Sequence, residues 1–105
     1  MSESDPLKKK AKATHRAHVF YSGRVQGIGF RHEVESVAHR AGLLGWVKNL
    51  HDGRVEMVCE GSKTVIDTLL TEMQEGPLGR FIKKVDCAWE TPTQEFGEFR
   101  VEFCY

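Results

Sequence analysis

Three glycines, Gly23, Gly27 and Gly29, fall within the stretch "YSGRVQGIGFR", and Arg31 closes it. Glycine lets backbone N–H groups turn inward where a Cβ would obstruct them. A run of inward N–H groups makes a concave anion site. Helical spacing begins at about Phe30, so the positive end of a helix faces the same space. Arg31 adds a planar fork of donors suited to two oxygens of one phosphate. These types and spacings suit a small, multiply charged oxyanion such as a phosphoryl group. Its holders would be the loop residues Gly23, Val25, Gln26, Gly27, Ile28, Gly29 and Phe30 together with Arg31. The same glycines would also serve a tight strand-to-helix connection and nothing more. Two nucleotide-binding patterns are excluded. Phe30 follows Gly29 where a Walker A loop needs lysine, and the third glycine of G-x-G-x-x-G is missing. Arg24 reads as solvent-facing.

Asn49, in "GWVKN", is the second candidate. It stands just ahead of Asp52-Gly53 and would serve as a turn residue there. Its neutral amide can also donate and accept hydrogen bonds, and so could orient a water. The five histidines, His15, His18, His32, His39 and His51, show no metal-ligand spacing and read as surface residues. Glu35 and His39, at i and i+4, are expected to pair on a helix. No Ser-His-Asp or Cys-His set and no acidic cluster suited to Mg²⁺ is evident.

The elements that must position these groups follow from periodicity. "RAHVFYS" reads as a first strand over 16–22, and "FRHEVESVAHRAG" as a helix with Phe30, Val34, Val37, Ala38 and Ala41 on one face and Gly42 as its stop. "LLGWVKNL" and "RVEMVCEG" are strands joined by a hairpin at Asp52-Gly53, with Cys59 pointing inward as a small hydrophobe. "SKTVIDTLLTEMQEG" is a second amphipathic helix, with Ser62 as its cap, an apolar stripe of Ile66, Leu69, Leu70 and Met73, and Gly76-Pro77 ending it. "FIKKVDCAWE" and "FGEFRVEFCY" supply a fourth strand and a short closing strand, the latter with Phe99, Val101 and Phe103 on one face. The order β-α-β-β-α-β specifies a ferredoxin-like α+β sandwich. Two helices cover one face of an antiparallel sheet, a short extra strand closes the chain, and strands one and three are neighbours.

At 105 residues the chain is one domain, expected over 15–105 behind a flexible polar tail, residues 1–14, that holds Lys8, Lys9, Lys10 and Lys12. Fifteen basic and fifteen acidic residues cancel, which argues against a general polyanion binder. Three widely spaced cysteines suit reduced thiols rather than a disulfide framework. No apolar run approaches the roughly 20 residues of a membrane span, and the N-terminus does not read as a secretory signal. A cytoplasmic monomer is therefore expected, with no nucleic-acid or membrane partner.

"GRVQGIGFR" followed by "GLLGWVKNLHDGRVEM" closely resembles the acylphosphatase family. That family carries G-x-V-Q-G-V-G-F-R and G-W-V-x-N signatures, and Ile28 in place of valine is the one departure. The resemblance covers about Arg16 to Tyr105, and "EGSKTVIDTLLTEMQEGP" also looks like the family's second helix. It implies hydrolysis of acyl phosphates, mixed carboxylic–phosphoric anhydrides, to carboxylate and inorganic phosphate. It implies Arg31 as the phosphate-binding residue and Asn49 as the residue that positions the attacking water, with no metal and no cofactor. Two rivals exist. A non-catalytic phosphate or acyl phosphate binding module would need Arg31 but not Asn49. An RNA-binding sheet would need stacking aromatics in strand three, which has none.

Overall fold

The computed structural model describes residues 12–103. The elements are β1 (His15–Gly23), α1 (Phe30–Ala41), β2 (Leu44–Asn49), β3 (Val55–Gly61), α2 (Lys63–Glu75), a short 3₁₀ turn (Gly79–Phe81), β4 (Ile82–Glu90) and β5 (Phe99–Glu102). They form one five-stranded sheet in the order β4-β1-β3-β2-β5. The first four strands pair antiparallel, with β1 and β3 side by side as expected. The extra strand β5 joins β2 in parallel, so the sheet is mixed. Residues 1–11, including the Lys8–Lys10 cluster, and the end of the expected closing strand, Cys104 and Tyr105, lie outside the described residues.

Alternation along the strands builds the core. Ala17, Val19 and Tyr21 of β1, Val55, Met57 and Cys59 of β3 and Val47 of β2 are buried beneath the helices. Phe30, Val34, Val37 and Ala38 of α1 and Ile66, Leu69 and Met73 of α2 close onto them. Each large apolar side chain so buried contributes about 1.5–3 kcal/mol. Burial pushes the Cys59 thiol up to about 12, with Cys87 adding to the rise, so Cys59 serves as packing and not as a nucleophile. Phe103 departs from the expected face: Phe99 is buried, but Phe103 is 66% exposed.

The helices start differently. Ser62 caps α2, its hydroxyl accepting from the Val65 N–H at 3.2 Å. At α1 the cap is Gly29 and no side chain caps it. The chain meets α1 through Gly27 at φ +78° and Gly29 at φ +83°, conformations that a side-chain-bearing residue rarely adopts.

Glu60 is the one buried charged residue among those described. Its carboxylate accepts from Arg16 Nη1 (2.9 Å), the Thr93 N–H (2.8 Å) and hydroxyl (3.2 Å), and the Gln94 N–H (3.1 Å). Burial alone would raise its pKa, but these donors outweigh burial and hold it below the ordinary glutamate value. The cluster fastens the segment between β4 and β5 across β3. Ala13 and Thr14, expected within the flexible tail, are tied in as well. Thr14 donates its N–H to the Gly61 carbonyl at 3.1 Å. Ala13 exchanges two hydrogen bonds with the Gln94 amide, at 3.1 and 2.7 Å. Glu60→Gln is expected to lower stability by about 2 kcal/mol at neutral pH, the loss of charge-assisted bonds at a buried site. A depressed carboxylate stabilises the fold above its unfolded pKa. The gap between wild type and variant should therefore shrink as pH falls below about 4. Denaturant titrations at several pH values check this; a gap independent of pH would contradict it.

Candidate active site

Strand register brings the two candidates to one end of the sheet. Val55 pairs with Tyr21 on one side and Asn49 on the other, so the end of β2 and the loop after β1 lie in one row. Gly23, at φ +130°, lets the chain turn there. A Cβ at this position would collide with the Phe81 carbonyl, while Arg24 donates its N–H to that carbonyl at 2.9 Å.

Two apolar side chains and one amide then hold the loop. Val25 and Phe30 are buried, and the Phe30 ring meets Tyr21 edge-on at 4.9 Å between centroids. Ile28 packs against the core edge. Gln26 Nε2 donates to the carbonyls of Leu50 (2.8 Å) and Arg54 (2.9 Å), which lashes the glycine loop to the hairpin following Asn49. Its side chain is thus engaged in setting the distance between loop and hairpin, leaving only its backbone to face an anion. The hairpin itself is fixed by Asp52, which accepts from the Arg54 N–H at 3.0 Å.

The result is a cavity of about 80 Å³ lined by Val25, Gly27, Gly29, Phe30, Arg31, His32 and Asn49. The first hydrogen bond of α1 runs from the Glu33 N–H to the Gly29 carbonyl at 3.0 Å. The N–H groups of Phe30, Arg31 and His32 precede it and have no partner within the helix. With the helix dipole behind them they favour an anion. A Cβ at Gly27 or Gly29 would meet nothing within 4 Å, so it is the positive φ and not a lack of room that favours glycine at both. Asn49 contributes the sharpest feature. Its Oδ1 is buried and accepts no hydrogen bond from the protein. The Tyr21 hydroxyl shares that state but does not line the cavity.

A family model described as Acylphosphatase matches residues 17–101. The chain belongs to the acylphosphatase family. An acylphosphatase of Roseiflexus sp. (strain RS-1) is 44% identical over 86 residues, spanning 82% of this chain and 92% of that protein. The acylphosphatase crystal structure from Bacillus subtilis superposes with a TM-score of 0.79 at 29% identity, over 85% of this chain and 99% of that one. The acylphosphatase from Coxiella burnetii gives 0.74 at 36% identity, over 90% and 100%. The acylphosphatase fold thus accounts for nearly all of the described chain, including both ends of the cavity.

Arg31 points along the mouth of this acylphosphatase cavity. Its Nη1 donates to the Glu102 carbonyl at 3.2 Å, and its Cζ lies 5.6 Å from the Phe103 ring centroid. Sequence reasoning missed this link between α1 and the end of β5, because no local pattern joins residues 71 positions apart. His32 is a surface residue, as expected. It also borders the cavity, as the residue directly after Arg31. The expected Glu35–His39 pair does not form. His39 Nε2 lies 2.9 Å from the Phe99 carbonyl, and Glu35 faces His32 at 3.9 Å instead. His18 is half-buried on the open sheet face, its ring nitrogens facing Glu56 and Glu90 at 2.5 and 3.1 Å.

Proposed function

We propose that the substrate's phosphoryl group sits in the cavity against the loop 23–31, held by Arg31 and the free N–H groups of α1, and that Asn49 positions the water that attacks it. The chain is a hydrolase of acyl phosphates, as its family membership indicates. The observation that carries the mechanism is the buried Asn49 Oδ1, an acceptor without a protein partner, in the same cavity as the α1 N-terminus and Arg31. A water donating one O–H to Oδ1 turns a lone pair toward phosphorus. Its oxygen bonds to phosphorus as the bond to the acyl oxygen breaks. The electron pair leaves with the carboxylate, and the water's proton passes to a phosphate oxygen. A carboxylate leaves without protonation, so no general acid is needed. The transition state spreads charge over the equatorial oxygens, and preorganised N–H groups with a guanidinium stabilise it.

Neither a metal nor a cofactor enters this scheme, since the protein's own donors supply the positive field. Among the described residues no three His, Cys, Asp or Glu are grouped to hold a metal ion. A catalytic domain over 15–105, acting as a cytoplasmic monomer without nucleic-acid or membrane partners, completes the reading. Its support is a balanced charge, cysteines at 59 and 87 that are free, and only two exposed large apolar side chains among the described residues. No described helix is long and apolar enough to cross a membrane. Phosphate release from acetyl phosphate in EDTA tests the scheme. Undiminished turnover is expected, whereas activity lost in EDTA and restored by Mg²⁺ would overturn it. A binding module without turnover would leave the orphaned Asn49 acceptor unexplained.

A further inference from the structure

In-line attack by a water held at the buried Asn49 sends the leaving carboxylate to the opposite side of phosphorus, toward the cavity mouth. At about 80 Å³ the cavity is far smaller than the roughly 300–1,000 Å³ of sites that enclose a whole drug-sized ligand. It admits a phosphoryl group, and the acyl group has to lie outside.

The two exposed large apolar side chains among the described residues are Trp89 and Phe103. Trp89 lies on the edge strand β4 and meets His15 and Lys63. Phe103 follows the Glu102–Lys48 pair, one position past the end of β5 and beside the end of β2, where Asn49 follows Lys48. Its ring stands over the guanidinium of Arg31, and 66% of the residue is open to solvent. The other exposed neighbour of the mouth, His32, faces Glu35 at 3.9 Å and presents a polar edge.

We propose that Phe103 is the acyl-group contact of this enzyme, and that it favours planar apolar acyl groups, as in aroyl phosphates, over small ones such as acetyl. The proposal rests on the reading that Arg31 holds the phosphoryl group. A ring already anchored on the arginine loses little freedom when a second flat group stacks on it or meets its edge. The gain in burial is available only to acyl groups large enough to reach it.

The test is kcat/KM for benzoyl phosphate and for acetyl phosphate in the wild type, Phe103→Ala and Phe103→Leu. In Phe103→Ala the benzoyl-to-acetyl ratio is expected to fall about tenfold, carried mainly by KM for benzoyl phosphate, with a smaller fall in Phe103→Leu. Any change in acetyl phosphate turnover, or in inhibition by inorganic phosphate, which has no acyl part, should be much smaller than the change for benzoyl phosphate. An unchanged ratio overturns the proposal, whether both substrates are unaffected or both fall together. In the latter case the ring only orients Arg31. Failure of the underlying reading shows separately, as Arg31→Gln that still turns over acetyl phosphate.

Discussion

Replacing Arg31 by glutamine is expected to abolish turnover and phosphate binding together. Arg31 is the one permanently charged cation lining the cavity, and glutamine keeps a polar, hydrogen-bonding end on a shorter stem without the charge. Arginine contacts to a transferring phosphoryl group are worth about 10³–10⁵ in rate, or roughly 4–7 kcal/mol at 1.36 kcal/mol per decade. The loss should appear in kcat/KM and equally in the inhibition constant of inorganic phosphate. Lysine should not restore it, since a single ammonium cannot reproduce the bidentate fork. Folding is expected to persist, because Arg31 is only half-buried and its guanidinium donates to a single backbone carbonyl, that of Glu102. A folded Arg31→Gln protein still inhibited normally by inorganic phosphate would remove arginine from the assigned role.

Asn49→Ala is expected to separate catalysis from binding. The substitution takes away the one buried acceptor that lines the cavity and leaves Arg31 and the α1 N-terminus intact. Deleting a single positioned polar group at a transition state costs about 10²–10³ in kcat, near 3–4 kcal/mol. Phosphate affinity should move by less than about threefold, because the water is not part of the ground-state anion contact. The fold should tolerate the change, since removing an unpaired acceptor strands no partner. If the inhibition constant for phosphate rose as far as kcat fell, Asn49 would be a phosphate ligand or a structural residue. The two variants together form a pair of opposite signatures: Arg31 moves binding and rate, Asn49 moves rate alone.

The chemistry-bearing residues and the main elements were legible because their signals are local. Glycines before a helical run, an arginine one residue into that run, and Asp-Gly between two alternating strands each carry their own conformational preference. The α1 and α2 stripes and the inward Cys59 follow from periods of 3.6 and 2, which need no knowledge of neighbours. On its local sequence Asn49 reads more readily as a turn residue ahead of Asp52-Gly53 than as a water-positioning group. The pairing of Val55 with both Tyr21 and Asn49, and the burial of an unpaired Oδ1, are what support the proposed second role. Gln26 is a comparable case. Nothing in its neighbourhood says that its amide reaches the Leu50 and Arg54 carbonyls and sets the width of the site.

By itself, then, the sequence determined which residues could bind a phosphoryl group, the order of the elements and the two faces of each helix. Tertiary structure decided the rest: the parallel addition of β5, the contact of Arg31 with Glu102 and Phe103, His39 on the Phe99 carbonyl rather than Glu35, and the Glu60 clamp. The physical reason is range. Propensity and periodicity act over a few residues, whereas these contacts join segments from 33 to 72 positions apart, and only the packed sheet brings them together.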